Sequence, residues 1–521
     1  MSCGNPVADT NALMQRRKKY DKTNYCVKCK VAQGNLVIRH AVYCKDCFLH
    51  LVVHKFRRAL EPTVNPKPDG PRRTALKPAG NLLVGFSGGL GSSVLLDLVH
   101  RCYVALDKST MPSDGGRDHP RHERVWKKVT ICYVEVCDAF PGMKDRTEEI
   151  TQHLKRYDDL DFVPLRIQNA FDPSWWENIG GKPLSSTIGA PLADEALLLQ
   201  SLSSTSADPL TSLRTYLSSL PTPTAVTTSI QTLTRLLLLH TALQTGSSHL
   251  VLGTSLTSLA VSLISGVAQG AGFNIREETQ EEWVPEPEAL AGSSQESDAS
   301  EGSKPAKKGK RTVRVVRPLR DVGMKECAAW AWWSSVPVVG KEKWVWAGAK
   351  PGIASLTKDF IVGLEKDYPS TVSTIVRTCS KLAPKGEVSG KCILCGRPAQ
   401  RGVQEWKARI SIRDQPPAPG STEPTRPIEA EPLQPSLVPY LCYSCHTTLT
   451  SKSARPLPSP WPATDQAPLV TLPVWTEARL SSAARNVNGA EHVHAEIMQT
   501  RQVGQDEMKG IVNEFLLDVQ E

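Results

Sequence analysis

A hydrophobic leader is missing from the amino terminus of this 521-residue chain. The opening segment, MSCGNPVADTNALMQRRKKYDK, contains no apolar core that could act as a signal peptide. Residues 249–273 carry no charged side chain and are long enough to cross a bilayer. Several glycines and many Ser and Thr residues interrupt them, so a buried strand followed by a core helix is the better interpretation. These absences predict a soluble intracellular protein without a membrane span.

Without a secretion signal, the fourteen cysteines are not expected to form disulfides. Two Cys-x-x-Cys pairs near the amino terminus, Cys26, Cys29, Cys44 and Cys47, have a spacing that can bring four thiolates around one cation. Zinc suits a tetrahedral set of four sulfur ligands best. We predict a structural zinc site here, while a redox or iron–sulfur role stays open.

Near the carboxyl terminus, Cys392, Cys395, Cys442 and Cys445 repeat the paired pattern with a much longer insertion between the pairs. The same ligand chemistry predicts a second zinc site. His446 is adjacent to the last cysteine and could compete as a ligand.

Length and composition favour two to four structural units. The net charge of +9 makes a polyanionic partner plausible without requiring one. The sequence divides into an N-terminal zinc module with a basic helix (1–60), a linker (61–80), an α/β domain (81–340), a helical extension (341–390), a second zinc module with a Pro-rich insertion (391–450), and a tail that ends in an amphipathic helix (451–521). The α/β domain is expected to contain disordered insertions at about 107–124, 201–228 and 277–310.

Within the α/β domain, apolar runs alternate with helical patterns, and this alternation predicts a parallel sheet covered on both faces. The predicted helices are Ser92–Val104 and Ile230–Leu243. The predicted strands are Leu82–Phe86, Val129–Val136, Phe162–Ile167, His249–Gly253 and Val313–Val316.

The helix that follows the first cysteine module has an apolar face and a basic face. Its basic side chains include His54, Lys55, Arg57 and Arg58. They could hold a phosphate backbone, or they could simply be a solvated helix face. Charge patterning does not decide between the two.

The first predicted strand runs into a glycine-rich loop, SGGLGSS, and then into a helix. Such a loop can surround an anion with backbone amides at a helix N-terminus. The candidate binding residues are Ser87, Gly88, Gly89, Ser92 and Ser93. No Gly-Lys-Ser/Thr follows, so this is not a Walker motif.

From about Asn81 to Leu319 the chain resembles the PP-loop ATP pyrophosphatases, whose loop reads SGGxDS. The resemblance implies a HUP-type parallel-sheet domain, here flanked by N-terminal and C-terminal four-cysteine zinc-binding modules. The loop aspartate of that superfamily falls on Gly91, and a Gly-His-Asn-x-Asp-Asp landmark aligns with Gly253–Ser258, which has neither imidazole nor carboxylate. A third landmark survives as Arg317, Pro318 and Leu319.

Reactive core cysteines are also scarce, because none occurs between Cys137 and Cys327. A sulfur-transferring enzyme needs a thiolate in its core. Cys102, Cys132 and Cys137 lie on predicted core elements and are expected to be buried. We therefore predict that the chain has no catalytic residues of its own and that its loop is empty or binds a phosphate without turnover.

Together these features resemble the second subunit of the eukaryotic cytoplasmic tRNA 2-thiolation complex. The resemblance rests on YCVKCK…YCKDCF, LLVGFSGGLGSSVLLDL, GTSLTSLAVSLISGVAQGAGF, RPLRDVGMKE, CILCG…LCYSCH and NEFLLD. It implies a cytoplasmic heterodimer with a catalytic PP-loop sister subunit that thiolates the wobble uridine (mcm5s2U) of tRNA Lys, Glu and Gln. It also implies sulfur supplied by a thiocarboxylated ubiquitin-like carrier protein, and by association a role in protein conjugation by that carrier (urmylation).

Two other functions are compatible with parts of the sequence. One is a stand-alone ATP-dependent tRNA-modifying PP-loop enzyme, which the substitution at Gly91 disfavours. The other is a zinc-binding scaffold or adaptor in ubiquitin-like conjugation, which would leave the central α/β domain unexplained.

Overall fold

The computed structural model describes most of the chain between Tyr25 and Leu480. The described residues are 25–39, 41–64, 80–105, 125–184, 187–192, 194, 196–202, 208–285, 312–340, 344, 351–382, 388–400, 402–403, 436–451 and 469–480. All of them belong to one compact unit, Met1–Ser482. The finer division into modules stays a prediction.

Strands alternate with helices along most of this range. The strands are β1 (Leu36–Ile38), β2 (Ala41–Tyr43), β3 (Asn81–Phe86), β4 (Val129–Glu135), β5 (Asp161–Arg166), β6 (Thr187–Pro191), β7 (Gln200–Leu202), β8 (Ser247–Leu252), β9 (Glu281–Trp283), β10 (Val313–Val316), β11 (Val388–Lys391), β12 (Pro398–Gln400) and β13 (Leu469–Thr471). The α-helices are α1 (Lys45–Val64), α2 (Leu90–Val99), α3 (Thr147–Leu154), α4 (Pro173–Asn178), α5 (Pro209–Ser218), α6 (Pro223–Gln244), α7 (Leu256–Ala268), α8 (Ile275–Thr279), α9 (Met324–Trp333), α10 (Ile353–Asp367), α11 (Pro369–Cys379) and α12 (Tyr443–Thr450).

Six strands form the central sheet in the order β5-β4-β3-β8-β10-β9. All neighbours are parallel except β9, which pairs antiparallel with β10 at one edge. The chain fills one side of β3 with β4 and β5 and then crosses to the other side with β8. In such a doubly wound sheet, the loops after β3 and β8 meet at the switch point where ligands commonly bind. The predicted α/β fold with a parallel sheet is confirmed.

The N-terminal cysteine module is joined to this core through α1. Its residues Phe48, Val52 and Phe56 are buried in one cluster with the apolar face of α2. The helix's carboxyl end is held as well, because the Thr63 carbonyl accepts a hydrogen bond from Arg314 Nη1 at 2.7 Å. His249 Nε2 lies 3.2 Å from the same carbonyl.

Two of the predicted insertions begin or end differently in the structure. The 201–228 segment was expected to be disordered, but it contains α5 and the first turns of α6. The 277–310 segment begins with the ordered elements α8 and β9, and its part after residue 285 lies outside the described residues. The 107–124 insertion and the tail helix around Phe515 lie outside the described residues.

The remaining differences are smaller. The predicted Ser92–Val104 helix is α-helical only to Val99 and continues as a π-helical turn over His100–Val104. A three-stranded sheet of β13, β6 and β7 was not predicted. The uncharged 249–273 segment forms most of β8 and all of α7, as expected. No helix among the described residues has the length and apolarity needed to cross a bilayer.

His249 makes folding sensitive to acid. Burial lowers the pKa of His249 from 6.5 to about 4. Between those pH values the unfolded chain binds a proton that the folded chain does not, so the free energy of unfolding should fall as the pH drops from about 6.5 to 4. The contribution amounts to about 3 kcal/mol.

His249→Gln should remove this part of the slope in a series of denaturant titrations across that pH range. The control is His54→Gln on the exposed side of α1, which should keep the wild-type slope. An unchanged slope in His249→Gln would show that other groups control acid unfolding.

Candidate functional site

The glycine-rich loop is tied together by its own serines. Ser92 Oγ donates to the Gly89 carbonyl at 2.9 Å and accepts from the Ser87 amide at 3.3 Å. Ser87 Oγ lies 3.2 Å from the same hydroxyl. Gly88 has a φ of +72°, a conformation that favours glycine. One of the amides that an anion would use, that of Ser87, is therefore already bonded within the loop.

A distant segment covers the loop. The Gly340 amide donates to the Gly88 carbonyl at 2.8 Å. Arg146 holds this segment with two hydrogen bonds. Its guanidinium donates to the Gly340 carbonyl at 3.1 Å and to the Val339 carbonyl at 2.9 Å. A Cβ on Gly88 would lie 3.2 Å from the Gly340 carbonyl oxygen, and both Gly88 and Gly89 are buried. The protein's own backbone thus closes the loop at Gly88, whereas Ser87 and Gly91 stay partly exposed.

The position of the missing aspartate has no room for a side chain. A Cβ on Gly91 would lie 2.1 Å from the Gly253 carbonyl oxygen. The reverse holds as well, since a Cβ on Gly253 would lie 2.5 Å from the Ser92 amide nitrogen. The two segments after β3 and β8 therefore meet backbone to backbone, where the superfamily pattern would place a carboxylate.

The hydroxyl residues of the second landmark take structural roles. Ser255 Oγ caps α7 by accepting from the Ser258 amide at 3.3 Å. Thr257 Oγ1 donates to Glu365 at 2.8 Å and accepts from the Met324 amide at 3.0 Å. These contacts join α7 to α10 and to the start of α9.

The third landmark is linked to the C-terminal cysteine module through a shared carboxylate. Arg317 is buried and forms an ion pair with Glu278 at 3.6 Å. Glu278 also pairs with Arg397 at 2.6 Å, two residues after Cys395. Arg235 on α6 donates to the Cys395 carbonyl at 2.8 Å. Retention of the Arg-Pro-Leu segment is thus explained by packing between the sheet and the cysteine module.

Both predicted cysteine sets are assembled. In each, the four sulfurs lie within 4.8 Å of one another. The Cys29–Cys44 sulfurs are 3.9 Å apart and the Cys395–Cys442 sulfurs 3.8 Å apart. A tetrahedral ion with bonds of about 2.3 Å to sulfur requires sulfur–sulfur separations of about 3.8 Å. The geometry fits one four-coordinate ion in each set.

The two sets differ in burial. All four cysteines of the C-terminal set are buried, whereas Cys29 and Cys47 of the N-terminal set are partly exposed. His446 is buried beside Thr450, with Nδ1 3.4 Å from Oγ1, and it is not one of the clustered ligands. Four sulfurs already complete a tetrahedral shell, so the competition that the sequence allowed is not needed.

The remaining core cysteines are poor nucleophiles. Burial raises the pKa of Cys132, Cys137 and Cys327 to about 12 in each case. Cys102 is buried as well. A thiol with such a pKa stays protonated at neutral pH, and the thiolate is the reactive form. The predicted burial of Cys102, Cys132 and Cys137 is confirmed.

The basic helix presents fewer free cations than its sequence indicates. His54 and Arg58 are exposed. Lys55 forms an ion pair with Glu326 on α9 at 2.7 Å, and Arg57 is partly buried. No local pattern indicates the roles of Arg146 and Glu278, because these roles depend on contacts with distant segments.

Several known proteins that are similar in sequence to this chain share one name. A family model described as "Cytoplasmic tRNA 2-thiolation protein 2" matches residues 352–447. The protein of that name from Danio rerio is 26% identical over 406 residues, covering 71% of this chain and 71% of the relative. The Homo sapiens protein of that name is 27% identical over 400 residues, with the same coverage of both chains. The chain is similar to this family, through the model match at residues 352–447 and through these relatives.

A solved structure was also matched. It is the U34-tRNA thiolase NcsA from Methanococcus maripaludis with its [4Fe-4S] cluster, which is 15% identical and has a TM-score of 0.43. The match covers 75% of this chain and 98% of that one.

A further sequence relative is the Arabidopsis thaliana protein named "Cytoplasmic tRNA 2-thiolation protein 2". It is 26% identical over 363 residues, covering 69% of this chain and 64% of the relative.

Proposed function

We propose that this chain is a non-catalytic subunit of a cytoplasmic machine that thiolates tRNA. The names of its relatives support the process and the compartment. The observation that supports the non-catalytic role is the closed loop, in which Gly340 covers Gly88 and Gly253 blocks position 91. Magnesium-triphosphate chemistry needs oxygen ligands and phosphate access at such a loop. Among the described residues, position 91 offers no carboxylate, and the backbones of Gly340 and Gly253 lie against the loop.

The finer proposal follows the family resemblance. The chain forms a heterodimer with a catalytic PP-loop sister subunit, which adenylates the wobble uridine of tRNA Lys, Glu and Gln. Sulfur for that step comes from a thiocarboxylated ubiquitin-like carrier protein. In this arrangement our chain contributes dimer surface, tRNA contacts and stability, and any role in urmylation is secondary.

We further propose that each cysteine set holds a structural zinc ion. Four mutually close thiolates suit zinc, which has no redox chemistry and favours tetrahedral sulfur. The ligands of a cubane iron–sulfur cluster bind four different irons and stand further apart than ligands of a single ion. The observed 4.8 Å limit on the sulfur–sulfur distances favours the single ion.

The zinc ions should leave the purified chain in two phases when a strong chelator is added. The fast phase is expected from the partly exposed N-terminal set and the slow phase from the buried C-terminal set. Absorbance of a zinc-binding dye reports the rates. Cys29→Ser should remove the fast phase and Cys395→Ser the slow one. A single phase with iron rather than zinc in elemental analysis would contradict the assignment.

The proposed function is tested in cells that lack this chain. Mass spectrometry of bulk tRNA should show loss of wobble 2-thiouridine, and the wild-type gene should restore it. Ser87→Ala should restore it fully, because that hydroxyl has only a weak contact within a closed loop. If a folded Ser87→Ala protein fails to restore thiolation, or if the isolated chain converts ATP to AMP, the subunit is an enzyme in its own right.

A further inference from the structure

The positive charge of this protein is concentrated at one end. The first 64 residues contain twelve Lys and Arg residues against four Asp and Glu, a net charge of +8 out of the chain's +9. The other 457 residues are therefore almost neutral. A basic footprint confined to one module indicates where a polyanion would be attracted.

Within the module, the first cysteine pair lies on a short turn that is closed by its own backbone. Tyr25 is bridged to Gln33, and the Cys26 amide donates to the Ala32 carbonyl at 2.8 Å. Residues 25–33, which we call the knuckle, contain no acidic side chain. The knuckle is tied to the hairpin behind it, because the Val27 amide donates to the Val42 carbonyl at 2.9 Å.

The knuckle exposes an aromatic ring and two cations. The side chain of Tyr25 is 67% exposed, and Lys28 and Lys30 are exposed as well. Neither lysine has an ion pair within the part of the chain that the structure describes. Lys30 has a φ of +58°, so its backbone is held in the left-handed region by the turn. These groups contrast with Lys55 on α1, whose charge is already paired with Glu326.

An exposed ring and two exposed lysines on one short turn fit single-stranded RNA. Unstacked bases in RNA loops stack on aromatic side chains, and lysines bind the neighbouring phosphates. The knuckle is also preorganised, because α1 fixes the module to the core through Phe48, whose ring meets that of Trp333 at 5.2 Å. Little conformational entropy is then lost when RNA binds.

We propose that the knuckle is a tRNA-binding surface, with Tyr25 stacking on an unpaired base and Lys28 and Lys30 contacting the adjoining phosphates. The inference rests on the proposed function and adds to it the surface that holds the RNA. It replaces the α1 face as the main contact, since Lys55 and the partly buried Arg57 are committed to the fold.

The test measures binding of fluorescein-labelled tRNA to the full chain by anisotropy at several salt concentrations. The double variant Lys28→Gln/Lys30→Asn removes two charges and keeps a residue that tolerates left-handed φ at position 30. Its salt slope should fall by about 2. Tyr25→Leu should weaken binding roughly tenfold with the slope unchanged, whereas Tyr25→Phe should bind like the wild type.

The matched control is Lys358→Gln/Lys366→Gln, which removes two exposed lysines from α10 and should leave affinity and slope near wild type. Zinc content and thermal midpoint show that each knuckle variant is folded. If folded knuckle variants bind tRNA like the wild type, the inference is wrong while the proposed function stands. A full chain that binds no tRNA also overturns it. The wobble-thiolation assay in cells tests the proposed function separately, and there a knuckle variant should restore less 2-thiouridine than the α10 control.

Discussion

Gly91→Asp, the change that restores the superfamily's loop carboxylate, is expected to destabilise this protein and to give it no ATP-cleaving activity. The new Cβ would lie 2.1 Å from the Gly253 carbonyl oxygen, a contact with backbone that no rotamer change relieves. Overpacking of this kind commonly costs 1–3 kcal/mol, and a backbone contact this close should cost at least about 3 kcal/mol. Urea unfolding and an ATP-to-AMP assay measure the two outcomes.

A matched substitution separates the contact from the added charge. Gly363→Asp places the same side chain in α10, where a Cβ meets nothing within 4 Å. Its free energy of unfolding should stay within about 0.5 kcal/mol of the wild type. If Gly91→Asp is instead as stable as the wild type and forms AMP, the loop is open and only one residue separates this subunit from an active enzyme.

The central sheet could be predicted because its strands are apolar throughout. From Leu82 to Phe86 every residue of β3 is buried, as expected for a parallel strand covered on both faces. The two cysteine sets could also be predicted, because the spacing of the ligands alone specifies them. Edge strand β9 was missed because its Glu281 and Glu282 make it look like part of an acidic insertion.

The helices within residues 201–228 were not predicted because the composition of this segment is typical of a disordered insertion. Ser, Thr and Pro suggest an insertion, yet Pro209 and Pro223 each occupy the first turn of a helix, where proline is well tolerated. The apolar spacing of Leu213, Tyr216 and Leu217 carried the helical signal. Proline at a helix start is easily mistaken for a chain breaker.

The state of the loop could be predicted only in part. Loss of the aspartate was visible at Gly91, and from it the absence of catalysis was inferred. Closure depends on Arg146 and Gly340, which are 194 residues apart in sequence and meet through tertiary structure. No local pattern reports such a contact, so the sequence could not tell an empty loop from a covered one.

Glu278→Gln is the second change with a large expected effect, because this carboxylate joins the sheet to the C-terminal cysteine module. Burial would raise the pKa of Glu278, but Arg397 and Arg317 outweigh it and hold the pKa well below its ordinary value. The glutamate also accepts from Ser262 at 2.8 Å. Removing its charge leaves the buried Arg317 guanidinium without its counterion and leaves Arg397 with only the more distant Glu281, at 3.9 Å. Breaking a buried pair in this way costs roughly 3–5 kcal/mol.

Urea unfolding should report this loss, and elemental analysis should show a decrease in metal held by the C-terminal set, because Arg397 lies two residues after Cys395. The control is Glu282→Gln on the same edge of the sheet, whose side chain is 56% exposed and pairs with Arg314 at 3.5 Å. An exposed pair contributes up to about 1 kcal/mol, so the control should lose little stability and no metal.

A double variant tests whether the surviving Arg317 acts through Glu278. If the ion pair explains why this landmark residue is retained, Arg317→Met combined with Glu278→Gln should destabilise the protein by less than the sum of the single changes. In the double variant, Arg317→Met removes one of the two guanidinium charges that Glu278→Gln alone would leave without this glutamate. Strict additivity would mean that Arg317 acts elsewhere, and a ligand at the closed loop would again need to be considered.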